Sequence, residues 1–292
     1  MKISGFTFAR NAVKLQYPIV ESIRSILPIV DESIVVIGDG EDATTELVRS
    51  IGDPKVRIIP SQWNPNMRAG GYVLAQQTNI GLFNCTGEWA IYLQADEVLH
   101  EAELPALRAA LQRYRTGRVE ALSLRYFHFF SSYRTYKDDP LNWYRRATRI
   151  IRTGVGIESV GDACAFMCRQ DGTLRRPRRR DLGVHVYHYG RVRPPDQMFR
   201  KQRNLERLYH DESWLETHGL PADMDLAEVY GDARHLRTFH GTHPAVMRDR
   251  VASADWPSPR VKAGPWPEWM RRGYVHAAWI LDRGLAFLGS RR

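Results

Sequence analysis

The amino-acid sequence predicts an α/β fold, in which a mainly parallel sheet is covered by helices on both faces. In the first hundred residues, short apolar runs typical of strands alternate with segments whose apolar residues recur every three or four positions, as in helices. The strand-like runs are continuously apolar, which indicates burial on both faces of a parallel sheet. The chain has 292 residues, of which 43 % are hydrophobic, and it can therefore bury a large core.

Four strands and four helices are predicted in the first half of the chain. The strands cover residues 3–8, 33–38, 56–59 and 89–93, and the helices cover residues 18–27, 43–51, 69–84 and 101–113. The first helix begins at Pro18 and the second stops before Gly52, because proline suits a helix start and glycine suits a helix end. These repeated β-α units define one α/β domain.

The second half has a different character. We predict an aromatic-rich strand at residues 119–130, shorter strands at 148–151 and 184–189, and a charged helix at 196–210. After Pro221 the chain becomes rich in proline and tryptophan. We therefore predict a catalytic domain over residues 1–220 and a helical C-terminal appendage over residues 221–292.

The amino-acid composition indicates which kind of partner and which cellular compartment to expect. The formal net charge is +9, and Arg-Arg-Pro-Arg-Arg-Arg at residues 175–180 concentrates positive charge, so we expect an anionic partner such as nucleic acid, lipid or a phosphorylated small molecule. Three cysteines without C-x-x-C spacing argue against a disulfide framework and a zinc site. No signal peptide or apolar span is evident, and we expect a cytoplasmic protein.

Acidic residues follow two of the predicted buried strands. Asp39 comes after the second strand, and Asp96 and Glu97 come after the fourth. Parallel α/β sheets bind ligands beyond the carboxyl ends of their strands. Asp39 can there accept an N–H of a nucleobase, and the pair Asp96–Glu97 suits a divalent cation that bridges to a diphosphate. The alternative for the pair is a strand-end turn with solvated carboxylates.

Histidines and arginines supply further candidates. His185 and His188 lie three residues apart on a predicted strand, so they point to opposite faces and one can face the crevice. An imidazole beside Asp96 favours Mn²⁺ over Mg²⁺, although a single histidine is also common as a hydrogen-bonded core residue. Arginines at turns suit diphosphate binding, or are ordinary solvated side chains; the candidates are Arg10, Arg68, Arg191 and Arg193.

Several stretches of the sequence carry a family resemblance. Residues 4–13 read SGFTFARNAV, residues 20–40 end in SIVVIGDG, and residues 77–97 end in QADE. Together they resemble the inverting family 2 glycosyltransferases of the GT-A fold, over roughly the first 130 residues. The stretches GIESVGDACAF and VYHYGRVRPPDQMFRKQ are similar to a bacterial subgroup whose members are mostly uncharacterised.

The resemblance implies a function and a division of the domain. Residues 1–115 would bind a nucleotide-diphosphate sugar with UDP, GDP or dTDP, and residues 116–220 would carry the acceptor and metal sites. The sugar would pass with inversion to a hydroxyl of a glycan or lipid-linked acceptor, in bacterial cell-surface glycan synthesis. A divalent cation, Mn²⁺ rather than Mg²⁺, would hold the diphosphate.

The resemblance also assigns site residues. It places Gln94, Ala95 and Asp96 on the Asp-x-Asp metal motif of the family, with Gln94 in place of the first aspartate, and it makes His188 a further metal ligand. The residues expected to bind the nucleotide sugar are Thr7, Phe8, Arg10, Asp39, Arg68, Gln94, Ala95 and Asp96. The diphosphate and acceptor candidates are Arg191, Arg193 and Glu97.

A catalytic base is expected between the metal motif and His188. Displacement at an anomeric carbon needs a base for the acceptor hydroxyl, separate from the metal ligand. Asp162 is the first candidate and Glu158 the second. Two other functions stay open: a catalytically weak or inactive nucleotide-sugar-binding protein, because of Gln94, and a basic nucleic-acid-binding protein, which would leave the carboxylates unexplained.

The last segment contains a possible membrane contact. A helix from about residue 270 to 288 would gather apolar residues on one face, with arginines and tryptophans at its borders. This pattern fits a helix lying in a membrane interface, near a lipid-linked acceptor. The alternative is that the apolar face packs on the catalytic domain.

Overall fold

Within the described residues, a mixed sheet of ten strands forms the centre of the molecule, and a second sheet has three strands. The structure is a computed structural model that describes residues 1–64, 66–67, 69–139, 143–218, 230 and 235–256. The strands are β1 (Ile3–Ala9), β2 (Glu32–Gly38), β3 (Val56–Ser61), β4 (Trp89–Tyr92), β5 (Glu97–Leu99), β6 (Ala121–Phe130), β7 (Ser132–Lys137), β8 (Arg146–Arg152), β9 (Ile157–Val160), β10 (Ala165–Gln170), β11 (Thr173–Arg175), β12 (Arg179–Arg191) and β13 (Leu236–Thr238). The helices are α1 (Ile19–Ile26), α2 (Thr44–Arg49), α3 (Tyr72–Phe83), α4 (Leu104–Arg113), α5 (Pro195–Glu206), α6 (Glu212–His218) and α7 (Arg248–Ala252), with 3₁₀ turns at Ala69–Gly71, Glu101–Glu103 and Ala245–Met247.

The first half forms the predicted parallel α/β layer. β4, β1, β2 and β3 lie side by side in that order and pair in parallel. Successive side chains of a strand alternate between faces, so Ile3 and Ala9 of β1 contact one half of the core and Phe6 contacts the other. α1, α2 and α4 cover the first face, and α3 covers the second. The predicted α/β fold is confirmed.

The spacing of apolar residues explains why α1 docks as it does. Ile19, Ile23 and Ile26 recur at four- and three-residue intervals, which places them on one face of the helix. All three are buried against the sheet. Burial of each such side chain stabilises the fold by roughly 1.5–3 kcal/mol.

The second half is largely antiparallel, which the sequence analysis did not specify. β8 joins β4, β6 joins β8 and β7 joins β6, all antiparallel. β12 then runs parallel to β6 and antiparallel to the short β5. β5, β7 and the small sheet β9–β11 were not predicted, because short strands with mixed polarity have no clear two-residue period.

The short strand β5 turns two adjacent carboxylates in opposite directions. Its pairing with β12 sets Glu97 opposite His188, and the N–H of Tyr189 donates to the carbonyl of Asp96 at 2.8 Å. Because side chains alternate along a strand, Asp96 lines a cleft at the sheet edge while Glu97 is fully buried. This alternation explains why a buried segment ends on two acidic residues.

A segment after residue 221 adds a strand to the ten-stranded sheet. β13 pairs antiparallel with β7, and Phe239, Met247 and Trp256 pack in the aromatic cluster around Phe129 and Tyr189. The boundary at residue 221 stays a prediction. The predicted helix at residues 270–288 lies outside the described residues. Among the helices that the structure describes, none is long and apolar enough to cross a membrane.

Candidate active site

A cleft of about 560 Å³ opens at the carboxyl ends of β1 and β4. Its walls come from the ends of these strands, from β12 and from α5, and it takes in Asp96, Asp162 and His188. Ligands of parallel α/β sheets bind at this position. The structure therefore brings together three residues that the sequence analysis placed in the site.

Aromatic and cationic side chains line the part of the cleft near Asp39. Phe8, Arg10 and Trp63 line it, and the Arg10 guanidinium carbon lies 5.6 Å from the centre of the Trp63 ring. Arg10 Nε donates to the carbonyl of Asp39 at 2.7 Å, and the N–H of Trp63 donates to Asp39 Oδ1 at 3.1 Å. Asp39 itself lies in an adjoining pocket. Its side chain is 55 % exposed, so it can accept a hydrogen bond from a ligand.

The sequence analysis also placed Thr7 and Arg68 in the nucleotide-sugar site. Thr7 is 4 % exposed and its hydroxyl is buried. It alternates with Phe8 along β1 and is not among the described side chains that line the cleft, so this position does not fit contact with a base or ribose. Arg68 lies outside the described residues.

Asp96 is held by a lysine that the sequence analysis did not identify. Lys201 Nζ donates to Asp96 Oδ2 and to the carbonyl of Gly190, both at 2.8 Å, and lies 4.8 Å from the centre of the Tyr17 ring. Burial alone would raise the pKa of Asp96, but the charge of Lys201 and the hydrogen bond from it hold that pKa well below its usual range. Burial lowers the pKa of Lys201 to about 8, against the opposing effect of Asp96.

The helical period of α5 contains the signal that identifies Lys201. Met198, Lys201 and Leu205 recur at three- and four-residue spacing, and all three line the cleft. In the sequence, Lys201 stands among charged residues such as Arg200 and Arg203, and such residues are usually solvated. Only the buried neighbour Met198 marks this face of the helix.

β12 presents one histidine to the cleft and the other to the opposite face, as predicted. His188 Nε2 lies 3.6 Å from Asp96 Oδ1, and its Nδ1 lies 2.9 Å from His128 Nδ1. Burial lowers the pKa of His188 and lowers that of His128 to about 3, so both rings are neutral near pH 7. His185 Nδ1 instead lies 2.8 Å from Glu103 Oε1, outside the cleft lining.

Two candidate arginines, Arg191 at the end of β12 and Arg193 just after it, occupy different environments. Arg191 lines the cleft, donates to the carbonyl of Tyr230 at 2.8 Å and lies 5.7 Å from the centre of the Trp143 ring. Arg193 is 1 % exposed, and its guanidinium lies 5.3 Å from the centre of the Tyr17 ring. The three guanidinium nitrogens of Arg193 are buried without a hydrogen-bond acceptor in the described structure.

Glu97 does not fit the predicted role in diphosphate or acceptor binding. Its two oxygens receive the Arg149 Nε and Nη2 donors at 2.8 Å each. They also accept from the Tyr126 hydroxyl at 2.7 Å and from the N–H of Gln94 at 3.0 Å. Glu97 and Arg149 are both fully buried. The carboxylate is therefore used within the core, where it holds the turn that carries Asp96.

The two candidates for the base lie in different places. Asp162 lines the cleft, where its Oδ2 accepts from the Tyr209 hydroxyl at 3.3 Å and its Oδ1 accepts from the N–H of Cys164 at 3.3 Å. Glu158 lies on β9, outside the described lining of the cleft, and its carboxylate accepts from Arg169 Nε at 3.3 Å. The geometry favours Asp162 over Glu158.

A glycine at the start of α3 makes room for Asp162 and Tyr209. Gly71 has φ 67°, and a Cβ there would lie 3.0 Å from Tyr209 Cε1 and 3.1 Å from Asp162 Cβ. The preceding Gly70 also has positive φ, 59°, but a Cβ there would meet nothing closer than Tyr72 at 3.6 Å. Both glycines therefore have a positive φ, but only at Gly71 would a side chain crowd Asp162 and Tyr209.

This difference gives a test of the position of Asp162. Gly71→Ala should lower kcat by about tenfold more than Gly70→Ala, because small displacements of a reacting group are costly. Both variants should lose about 1–2 kcal/mol of stability from alanine at positive φ, and Gly71→Ala should lose more, because its Cβ also crowds Tyr209 and Asp162. Steady-state kinetics and thermal unfolding measure the two effects. Equal kcat values in the two variants would contradict the placement of Asp162 at the reacting centre.

The residues around Asp96 do not fit a divalent cation in this arrangement. Among the residues that the structure describes, no three His, Cys, Asp or Glu side chains lie close enough together to hold a metal ion. Gln94 contributes a neutral amide, and Lys201 occupies one oxygen of Asp96. A divalent cation prefers several oxygen ligands, carboxylates among them. A cation between Asp96 Oδ1 and His188 would lie beside the ammonium group of Lys201, which is hydrogen-bonded to Asp96 Oδ2, and like charges so close repel each other.

Comparisons with known proteins give one family match and several structural similarities. The profile of Glycosyl transferase family 2 matches residues 9–173. S. aureus TarS has 16 % identity and a TM-score of 0.40, over 70 % of this chain and 39 % of that chain. Glucosyl-3-phosphoglycerate synthase from Mycobacterium tuberculosis, crystallised with Mn²⁺, UDP and phosphoglyceric acid, has 16 % identity and a TM-score of 0.40, over 72 % and 80 %. Mannosyl-3-phosphoglycerate synthase from Rubrobacter xylanophilus has 20 % identity and a TM-score of 0.32, over 44 % and 41 %.

The chain spans less than two thirds of the length of TarS. No curated protein sequence matches it. The α/β sheet with a cleft at the carboxyl ends of its parallel strands fits the GT-A fold. The chain belongs to glycosyl transferase family 2, whose profile covers more than half of it.

Proposed function

We propose that the protein transfers a sugar from a nucleotide-diphosphate sugar to a hydroxyl acceptor, with inversion at the anomeric carbon. The proposal rests on one observation. Asp162 and the Asp96–Lys201 pair line the same cleft, and the Asp162 carboxylate is not part of that ion pair. A displacement at an anomeric carbon needs a free carboxylate for the acceptor and positive charge for the leaving diphosphate. The cleft supplies both.

Asp162 is the proposed general base. The acceptor oxygen forms a bond to the anomeric carbon while its proton passes to Asp162. The bond between that carbon and the diphosphate oxygen breaks, and its electron pair leaves with the nucleoside diphosphate. Attack from the face opposite the leaving group inverts the configuration. The Tyr209 hydroxyl, which donates to Asp162 Oδ2, orients the carboxylate for this proton transfer.

The pocket beside Asp39 is the proposed base site. Its carboxylate is an acceptor and can pair with the ring N–H of uracil, thymine or guanine, so UDP, dTDP and GDP are the candidate donors. Cytosine has no such N–H and presents a lone pair at the same ring position. UDP should therefore bind more tightly than CDP.

Substitution of Asp39 tests this base contact. Asp39→Ala should weaken UDP binding about 10- to 100-fold, the range of a hydrogen bond to a charged group, and should remove the preference for UDP over CDP. Glu46→Ala, on the exposed surface of α2, is the control. Calorimetric titration with the two nucleotides measures both effects. A variant that binds more weakly but still prefers UDP would assign base recognition elsewhere.

A thermal-shift panel with UDP, GDP, dTDP and CDP tests the function as a whole. A ligand that binds the native state raises the unfolding midpoint. At least one of the first three nucleotides should raise it, and the corresponding sugar nucleotide should be hydrolysed slowly in the absence of an acceptor. If no nucleotide diphosphate shifts the midpoint, the proposed donor class is wrong.

The remaining features stay proposals. For the acceptor we propose a glycan or lipid-linked hydroxyl in bacterial cell-surface glycan synthesis, with a cytoplasmic location and peripheral membrane contact. The net charge of +9 supports an anionic surface or acceptor. A divalent cation, Mn²⁺ rather than Mg²⁺, stays a prediction of the family resemblance, and the ammonium group of Lys201 beside Asp96 argues against it.

A second candidate function is a nucleotide-sugar-binding protein with little or no turnover. Gln94 supports it, because the family motif has an aspartate at this position and the amide carries no charge. Donor binding without transfer to any of a set of hydroxyl acceptors, and without hydrolysis, would favour this candidate. Turnover that depends on Asp162 would exclude it.

A further inference from the structure

The positive charge at the predicted metal position comes from the protein itself. The motif segment Gln94–Ala95–Asp96 offers one carboxylate, and that carboxylate is paired with Lys201 at 2.8 Å. The side chains of Asp96 and Lys201 are only 8 % and 12 % exposed. An ammonium group therefore stands where the family motif would hold a divalent cation.

Lys201 is held in a defined position and keeps a donor for a ligand. An ammonium group has three donors. Two of them are used by Asp96 Oδ2 and by the carbonyl of Gly190, and the Tyr17 ring supports the group from a further side. Lys201 also lines the cleft, so its third donor can meet an anionic oxygen there.

Gly190 lets the side chains of Asp96 and His188 pack closely against the backbone of β12. A Cβ at this position would lie 3.1 Å from Asp96 Oδ2 and 2.5 Å from His188 Nε2. Any other residue would therefore push the carboxylate and the imidazole out of place. The glycine thus keeps Asp96 where it can bind Lys201 at the cleft wall.

The charges around the pair leave an excess of positive charge. Arg193 and Arg191 both act on Lys201 electrostatically, and Asp96 provides a single compensating carboxylate. The buried guanidinium of Arg193 has no hydrogen-bond acceptor in the described structure. Asp96 offsets only part of the positive charge on these three side chains, and an anion in the cleft that Lys201 and Arg191 line would offset more of it.

We propose that Lys201, fixed by Asp96 and supported by Arg191 and Arg193, takes the place of a divalent cation in binding the donor diphosphate. The inference rests on the proposed function, and it makes nucleotide-diphosphate binding independent of metal ions. Lys201 donates to a diphosphate oxygen in the bound state and continues to neutralise that oxygen as the diphosphate leaves. Asp96 acts as a positioning residue for the ammonium group.

The experiment is calorimetric titration of the full chain with UDP, GDP and dTDP, in EDTA and in Mn²⁺. For the nucleotide that binds, the affinities of the unsubstituted protein in the two conditions should agree within about threefold. Lys201→Met should weaken binding in EDTA at least about tenfold, because a charge-assisted hydrogen bond is lost. Lys201→Arg should keep most of the affinity. Lys55→Met is the matched control, since Lys55 also donates to a backbone carbonyl, that of Leu27, away from the cleft.

The outcomes are distinguishable. If EDTA abolishes nucleotide binding by the unsubstituted protein and Mn²⁺ restores it, the inference is wrong while the proposed function stands. If Lys201→Met is folded by circular dichroism and binds as well as the control in EDTA, the inference is also wrong. If no nucleotide diphosphate binds in either condition, both the inference and the proposed function fail.

A double variant tests directly whether the site can be made to bind a metal ion. Gln94→Asp combined with Lys201→Ala recreates two carboxylates and removes the ammonium group. This double variant should bind Mn²⁺ in the presence of UDP, seen as loss of the free Mn²⁺ signal in electron paramagnetic resonance, whereas the unsubstituted protein should not. Equal Mn²⁺ binding by both proteins would overturn the inference.

Discussion

Replacing Asp162 with asparagine is expected to lower kcat by about a hundredfold or more, the contribution of a general base. The amide has a similar shape and can still accept from the Tyr209 hydroxyl, so the cleft should keep its form. It cannot take the proton of the acceptor hydroxyl. UDP affinity, measured by titration, should change little.

Glu158→Gln is the control for this experiment. Glu158 pairs with Arg169, and these side chains are 22 % and 52 % exposed, so its loss should leave kcat within about twofold of the unsubstituted value, as is usual for surface positions. If Asp162→Asn abolishes nucleotide binding, Asp162 is a binding residue. If Glu158→Gln has the larger effect on kcat, the assignment of the base is reversed.

Glu97→Gln is expected to cause the largest loss of stability, about 3–5 kcal/mol, because it leaves a buried guanidinium without its counter-charge. Glu97 receives two donors from Arg149, one from Tyr126 and one from the backbone of Gln94. The ion pair also raises the pKa of Arg149 well above its usual value despite burial. Denaturant unfolding measures the change.

A second Glu–Arg pair in the same chain provides a matched control. Glu88 and Arg115 also form two hydrogen bonds, at 2.8 and 3.0 Å, but their side chains are 39 % and 44 % exposed. Water and salt screen such a pair, so Glu88→Gln should have a far smaller effect. Equal losses in the two variants would show that burial does not determine the importance of the Glu97 pair. Glu97→Gln combined with Arg149→Met should recover part of the loss.

The neighbouring Asp96 needs a different experimental design. Its sequence position suggested a rim residue whose replacement by alanine would leave the fold intact. The structure shows a buried pair with Lys201, so Asp96→Ala would destabilise the protein as well as alter binding. Lys201→Met would likewise leave a buried carboxylate without its partner, so Lys201→Arg, which keeps the positive charge, is needed beside it to separate binding from stability.

Local patterns in the sequence were enough to predict the parallel half of the sheet and the edge at which the cleft opens. Periodic burial of apolar residues is a local property, and it sufficed to predict β1 to β4 and the helices between them. The rule that ligands bind at the carboxyl ends of parallel strands then placed Asp39 and Asp96 at one edge. The alternation of side chains along β12 also predicted correctly that His188 and His185 would separate.

Only the tertiary structure decided which charged groups meet. Lys201 and Asp96 are 105 positions apart in the chain, and Arg149 and Glu97 are 52 apart, so no local pattern links them. Their pairing depends on the antiparallel return of the second half and on the direction in which the short β5 turns each carboxylate. The energy of a charge depends on its burial and its neighbours, and for these residues both were determined by contacts between distant segments of the chain.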